Sequence, residues 1–248
     1  MSYLGSTKIG KMYLGSTEIA KAYLGTDLVF QNGGSPTPPL PYTPVDYIVT
    51  DGACSINVGS YGTPPRSCEI KVMMGANTTS SLLAAYVASS GTNSKAFALA
   101  RYNSNKCATF SYYSNYGLSD GMPSVQYSID NNLPFIIKTD IKKGTQHISV
   151  KQENSDSWTT VTKSNNNTVS STTNLRLFSA LYAGTNGNFA PSGTRLYYCK
   201  VYDDDSYTHL IFDGVPCLYN GAYGLWDNVA NIFKGNYESG TLSGPSNL

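Results

Sequence analysis

Near the amino terminus the chain repeats itself. Tyr3-Leu-Gly-Ser-Thr-Lys-Ile-Gly-Lys-Met is followed by Tyr13-Leu-Gly-Ser-Thr-Glu-Ile-Ala-Lys-Ala and then by Tyr23-Leu-Gly-Thr-Asp-Leu-Val-Phe, a period of ten residues with one residue dropped at the third turn. Each unit reads as one short strand closed by a Gly-Ser-Thr or Gly-Thr-Asp turn, so the segment is expected to be a three-strand meander. On the two-residue period of a pleat, Ile19, Lys21 and Tyr23 fall on one face and Ala20, Ala22 and Leu24 on the other. Size decides what such a segment does. At roughly 30 residues it lies below the roughly 40 at which a chain without disulfides, metal or association holds a fold. Repeats that cannot bury a face alone stack on something else. Residues 1–31 are therefore expected to order against another protein or against copies of themselves, with Tyr3, Leu4, Ile9, Tyr13, Leu14, Ile19, Tyr23 and Leu24 as the docking candidates. The competing reading packs them as extra strands on the downstream sheet.

Residues 32–44, Asn-Gly-Gly-Ser-Pro-Thr-Pro-Pro-Leu-Pro-Tyr-Thr-Pro, hold five of the twelve prolines. Paired glycines make a joint and the prolines favour extended polyproline geometry, so this stretch reads as a hinge followed by a semi-rigid spacer. From 45 to 248 the text becomes short alternating segments cut by turn residues. They include 68–74, 96–102, 106–113, 134–139, 146–151, 175–182 and 195–202. Twenty tyrosines and 23 glycines against only 13% charged residues fit pleated surfaces and many turns rather than helical bundles or disordered tails. The fold class is accordingly all-β, a two-sheet sandwich preceded by a short β-repeat anchor. Periodicity alone leaves Ser81–Ala88 open to a short helix, but its length and neighbours favour strand.

Seventeen basic against sixteen acidic residues leave a formal charge of +1, which removes the electrostatic footprint of a nucleic-acid binder. The first fifteen residues contain no continuous apolar segment, and the longest apolar run, 82–88, is far short of the roughly 20 residues a bilayer needs. Neither a secreted precursor nor a membrane partner is expected. Cys54, Cys68, Cys107, Cys199 and Cys217 are odd in number and lack Cys-x-x-Cys spacing, so buried reduced thiols are expected rather than a disulfide framework or a zinc site.

Two stretches resemble a known family. Asp46-Tyr-Ile-Val-Thr-Asp-Gly-Ala-Cys-Ser-Ile-Asn-Val-Gly59 is similar to the opening of laminin-G-like, concanavalin A-like lectin and glucanase domains common in gut bacteria and their phages. Arg195-Leu-Tyr-Tyr-Cys-Lys-Val-Tyr-Asp203, Gly214-Val-Pro-Cys-Leu-Tyr219, Tyr223-Gly-Leu-Trp-Asp227 and Ile232-Phe-Lys-Gly-Asn236 resemble the endings of the same family. Together they bracket most of residues 45–248, and the resemblance implies a jelly-roll sandwich of two antiparallel sheets. The decapeptide repeat resembles amino-terminal segments of virion proteins from tailed phages. That likeness implies a head fibre, tail fibre or capsid decoration, assembled in the bacterial cytoplasm and carried on the virion. Its partners would be other virion proteins and surface or mucosal glycans, and its assembly a homo-oligomer, with a trimer favoured.

Glucanases of the resembled fold carry an E-x-D-x-(x)-E strand whose two carboxylates lie about 5 Å apart. Here the four glutamates, Glu18, Glu69, Glu153 and Glu238, stand nowhere in that pattern, so no catalytic residue is assigned. His147 and His209 lie in strand text without a nucleophile or metal motif and read as structural. Asp203-Asp-Asp205 reads as a solvated turn, and neither a metal nor a cofactor is expected. Trp226 reads as structural. Trp158, in Asn-Ser-Asp-Ser-Trp-Thr-Thr, is the leading ligand candidate, because sugars stack CH faces on such rings while neighbouring polar groups take their hydroxyls. Tyr112, Tyr113 and Tyr116, in a Tyr- and Ser-rich stretch, are the second candidate surface.

Overall fold

The computed structural model describes residues 40–61, 66–75, 133–142, 144–165, 174–182, 185–187 and 189–245, and elsewhere the strands named below. The chain divides into two compact units, Met1–Pro41 and Tyr42–Leu248. In the first lie β1 (Tyr3–Leu4), β2 (Thr7–Lys8), β3 (Met12–Leu14), β4 (Thr17–Ile19), β5 (Lys21–Leu24) and β6 (Asp27–Gln31). Among the described residues they pair as β1-β2, β3-β4 and β5-β6, three separate two-stranded sheets.

This departs from the expected meander of one strand per decapeptide. Leu4 pairs with Thr7, Leu14 with Thr17 and Leu24 with Asp27, so each repeat carries a whole hairpin reversing across two residues. Two-residue connections with glycine first suit the turns whose twist matches a hairpin. The run 19–24, read as a single strand, is divided between β4 and β5, which belong to different sheets.

The second unit holds β7 (Thr43–Pro44), β8 (Ile48–Thr50), β9 (Ile56–Gly59), β10 (Ser67–Met73), β11 (Ser80–Val87), β12 (Lys95–Tyr102), β13 (Lys106–Phe110), β14 (Ser124–Gln126), β15 (Phe135–Lys142), β16 (Gly144–Gln152) and β17 (Thr159–Asn165). After these come β18 (Leu175–Leu177), β19 (Ala180–Tyr182), β20 (Thr185–Gly187), β21 (Arg195–Tyr202), β22 (Leu210–Tyr219), β23 (Ala222–Asp227), β24 (Ile232–Lys234) and β25 (Leu242–Ser243). The larger sheet runs β17-β16-β15-β10-β21-β22-β23-β24, with β8 beside β21, β25 beside β8 and β7 beside β22. The smaller runs β14-β13-β12-β11-β18-β9. All described pairings are antiparallel, and the unit is an all-β sandwich, as expected.

Both sheets contribute to one core. Ile70, Val72, Phe135, Ile137, Ile148, Val150, Leu196 and Phe212 come from the larger sheet, and Ile56, Val58, Leu82, Leu99, Leu175 and Leu177 from the smaller. Side chains alternate strictly on β15: Phe135, Ile137, Thr139 and Ile141 are buried while Ile136, Lys138 and Asp140 face out. On β16, Gln146, Ile148 and Val150 are buried and His147 and Ser149 face out. Burying each of these large apolar side chains contributes about 1.5–3 kcal/mol, and the same alternation lays a polar layer on the sheet's outer face. Cys68 and Cys199 sit wholly buried in this core; burial pushes the Cys68 thiol up to about 12 and Cys199 well above the ordinary thiol range.

Two differences from the sequence reading have clear causes. The segment 175–182 is not one strand but β18 and β19 in different sheets. Between them the buried Phe178 has φ 63°, a left-handed conformation that ends a pleat and costs a non-glycine residue about 1–3 kcal/mol. Its amide donates to Leu82 O and its carbonyl accepts from Ala190 N, and these bonds offset the strain. The end of the spacer is not free either: Thr43 and Pro44 pair with Leu218 and Cys217. Residues 42–44 thus belong to the sandwich, because a β-edge accepts proline where no ladder donor is required.

Candidate functional site

The outer face of the larger sheet collects the polar side chains that alternation turns away from the core. In one row Glu69 pairs with Lys138, Lys138 with Ser149 and Ser149 with Thr160, placing four strands' outward residues side by side. Ser149 and Thr160 join through their hydroxyls at 2.8 Å. Lys138 Nζ lies 2.9 Å from Glu69 Oε2, and the Tyr198 hydroxyl donates to Glu69 Oε1 at 2.6 Å. In the next row Asp140 accepts from the Tyr207 hydroxyl and meets His147 Nδ1 at 2.7 Å. Burial first, then the neighbouring carboxylate, raises the Tyr198 phenol well above its ordinary value, and the same two causes raise Tyr207. Both stay protonated donors at neutral pH.

Trp158 stands at one end of this layer, immediately before β17, and is 38% exposed. Lys138 Nζ lies 5.4 Å and Lys151 Nζ 5.2 Å from its ring centroid, within cation–π range. Two ammonium groups whose stems rise from adjacent strands lie against the ring, and more than a third of the residue still meets solvent. Lys138 also lies 5.6 Å from the Tyr207 ring, so it bridges two aromatics as well as its carboxylate partner.

Tyr207 is delivered by the turn 203–209 between β21 and β22. This is the acidic triplet expected to be a turn, and the carboxylates of Asp203 and Asp204 are spent within it. Asp204 accepts from the amides of Ser206, Thr208 and His209 and from the Thr208 hydroxyl. These bonds, led by that of the Thr208 side chain, hold its carboxyl well below the usual range. Asp203 meets His209 Nδ1 at 2.6 Å, and the Ser67 hydroxyl donates to Asp204 O at 2.7 Å, anchoring the turn on β10. Both histidines thus have carboxylate partners, in line with structural roles.

The three glutamates of this unit are each tied to a cation: Glu69 to Lys138, Glu153 to Lys71 and Glu238 to Arg176. No group of three or more potential metal ligands occurs among the described residues.

Of the sequence candidates, Trp158 is on the exposed face, whereas Trp226 is 7% exposed and lies against Tyr42, with ring centroids 4.9 Å apart. Tyr112, Tyr113 and Tyr116 lie outside the described residues. Tyr3 and Leu4 fall on β1, Tyr13 and Leu14 on β3, Ile19 on β4, and Tyr23 and Leu24 on β5, while Ile9 lies outside the described residues. Sequence reading missed Lys138, Lys151, Glu69 and Tyr207 around Trp158. The available signal was alternation in Phe135–Lys142 and Gly144–Gln152, which assigns Lys138 and Ser149 to the outward side.

No family model and no curated protein matches this chain. Among solved structures, the CBM40 of Ruminococcus gnavus IT-sialidase bound to α2,3-sialyllactose is similar at 14% identity and TM-score 0.44, over 58% of this chain and 78% of that one. The same module bound to α2,6-sialyllactose is similar at 11% identity and TM-score 0.47, over 66% and 92%. Tailspike protein 2 of an Escherichia coli O157:H7 bacteriophage is similar at 12% identity and TM-score 0.45, over 70% of this chain but only 30% of the tailspike. With TM-scores below 0.5, these likenesses carry no weight for what this chain binds.

Proposed function

We propose that the sandwich is a glycan-binding module of a tailed-phage virion protein, docked on the particle through its decapeptide repeats. The observation that carries the binding half is Trp158, a ring held from the sheet side by Lys138 and Lys151 yet open to solvent. An aromatic ring loses little entropy on stacking, and the Ser149 and Thr160 hydroxyls nearby are the type of group that fixes a sugar's orientation. The role is binding without cleavage, a reading supported by the ion-paired state of all three glutamates in this unit.

The docking half rests on the repeats. Isolated two-stranded hairpins are marginal in water, and three near-identical ones in tandem suit a neighbour that grips each in the same way. Other virion proteins are the proposed partners, with trimeric self-association as the favoured assembly.

A glycan array probed with the full chain and with Trp158→Ala tests the first half: retained glycans without chain shortening, lost in the variant, are expected. Binding that survives the substitution, or shortening of the glycan, overturns it. For the second half, a chain starting at Tyr42, which keeps the whole sandwich, should fail to enter particles; its normal incorporation overturns docking through the repeats.

A further inference from the structure

The layer around Trp158 is one end of a longer band. Lys151, Ile136, Lys71 and Tyr198 occupy successive paired positions on β16, β15, β10 and β21, so their side chains share the outer face. Between Lys71 and Val72 the register slips, leaving Tyr197 as an extra residue on β21. A bulge turns two consecutive residues toward the same side. Tyr198 accordingly reaches Glu69, while the Tyr197 ring takes Lys71 Nζ at 4.9 Å. Tyr197 then meets the Tyr47 ring at 5.5 Å, and the Arg195 guanidinium lies 4.6 Å from the Tyr47 centroid.

Aromatic and cationic groups therefore share one band across the sheet, Trp158 with Lys151 at one end and Lys71, Tyr197, Tyr47 and Arg195 at the other, with Ile136 between them. From β17 to β8 the band crosses six strands, and five spacings of about 4.8 Å make it about 24 Å long. Its charge is unbalanced. Lys71 and Lys138 are matched by Glu153 and Glu69, but Lys151 and Arg195 have no carboxylate partner among the described residues.

We infer that this band is a track for an extended acidic polysaccharide, a chain of linked sugars bearing carboxylate groups, lying across the strands rather than ending at Trp158. The inference rests on the glycan-binding reading above and adds to it charge and length. Rings at the two ends of the track, four strands apart, stack sugars well separated along one chain, and the two cations without a carboxylate partner meet carboxylates that a neutral chain lacks. The bulge at Tyr197 is the structural device that makes the track continuous, since without it Tyr197 and Tyr198 would point to opposite faces.

Polygalacturonate and its fully methyl-esterified form share one backbone and differ in charge, so they serve as probes for the full chain in titration calorimetry. The acid form should bind more tightly than the ester, with affinity rising from dimer to octamer and falling as salt shortens the screening length. Lys151→Gln combined with Arg195→Gln should weaken binding of the acid form about tenfold more than that of the ester, because only the acid form loses charge contacts. Equal binding of acid and ester, both lost in Trp158→Ala, overturns the acidic track while leaving the glycan module standing. Affinity that does not grow beyond a single sugar also overturns the track. If neither polymer nor any arrayed glycan binds, both readings fall.

Discussion

Trp226 and Trp158 lie on the same outer face of the same sheet, near opposite ends, and their surroundings make them different objects. On β23, Leu225 enters the core and Trp226 points the other way, between Val215 on β22 and Phe233 on β24. Tyr42 stacks on it at 4.9 Å and 28°, and Tyr219 closes in at 5.7 Å, leaving 7% exposed. Trp158 has lysines where Trp226 has rings, and among the described residues no segment lies over it comparable to 42–44. An outward aromatic becomes structure when chain folds back across it and a binding surface when only the flexible ends of charged side chains reach it. The difference is in tertiary cover, not in the residue.

Replacing the covered ring is the strongest way to test that contrast. Trp226→Ala removes a nearly buried side chain from a cluster of four aromatics and should cost about 3–5 kcal/mol in urea unfolding. A loss below about 1 kcal/mol would mean that the ring is no more structural than Trp158. Gly224→Ala disturbs the same cluster from beneath. A Cβ there would stand 2.5 Å from Lys234 O and 2.7 Å from the Phe233 ring, and backbone cannot retreat as a side chain can. Overpacking of this kind costs about 1–3 kcal/mol, read in the same unfolding experiment.

Removing the cover rather than the covered ring is gentler. Tyr42→Ala deletes one stacked pair worth about 0.5–1.5 kcal/mol beyond its area. It should also convert Trp226 into an open ring, so acrylamide should quench tryptophan emission more strongly than in the parent chain. Unchanged quenching would show that Tyr219 and Phe233 suffice to shield it.

How much of this was legible follows from the range over which each feature is encoded. Strand β21, 195–202, matches its alternating text, and so do β10 and β12 within a residue or so. Local signals also mark the turn at Asn220-Gly221, where both residues have positive φ, the pattern of a tight hairpin. The hairpins of the repeat were misread as single strands because a six-residue alternating run does not say where its partner lies. The break at Phe178 is invisible locally, since an apolar residue in a left-handed conformation is held there by its bonds to Leu82 and Ala190. The same holds for the site. Trp158 among polar residues stood out, but Lys138, Lys151 and Tyr207 converge on it only through pairing register, and Tyr42 looked like spacer because what it covers lies far along the chain.

Trp158→Ala carries the smallest stability change and the sharpest reading. The residue sits at the start of an edge strand with its ring outside the core, so its loss should alter unfolding by no more than about 0.5 kcal/mol. Two lysines gain solvent when the ring goes, and hydration of their ammonium groups compensates for the lost cation–π contacts, which at exposed sites are worth only about 0.5–1 kcal/mol. A protein that unfolds like its parent yet no longer retains glycans would separate binding from folding on one face of one sheet. If the substitution instead costs as much as Trp226→Ala, the ring is a second structural lid, and the absence of chain folded over it is not what distinguishes the two tryptophans.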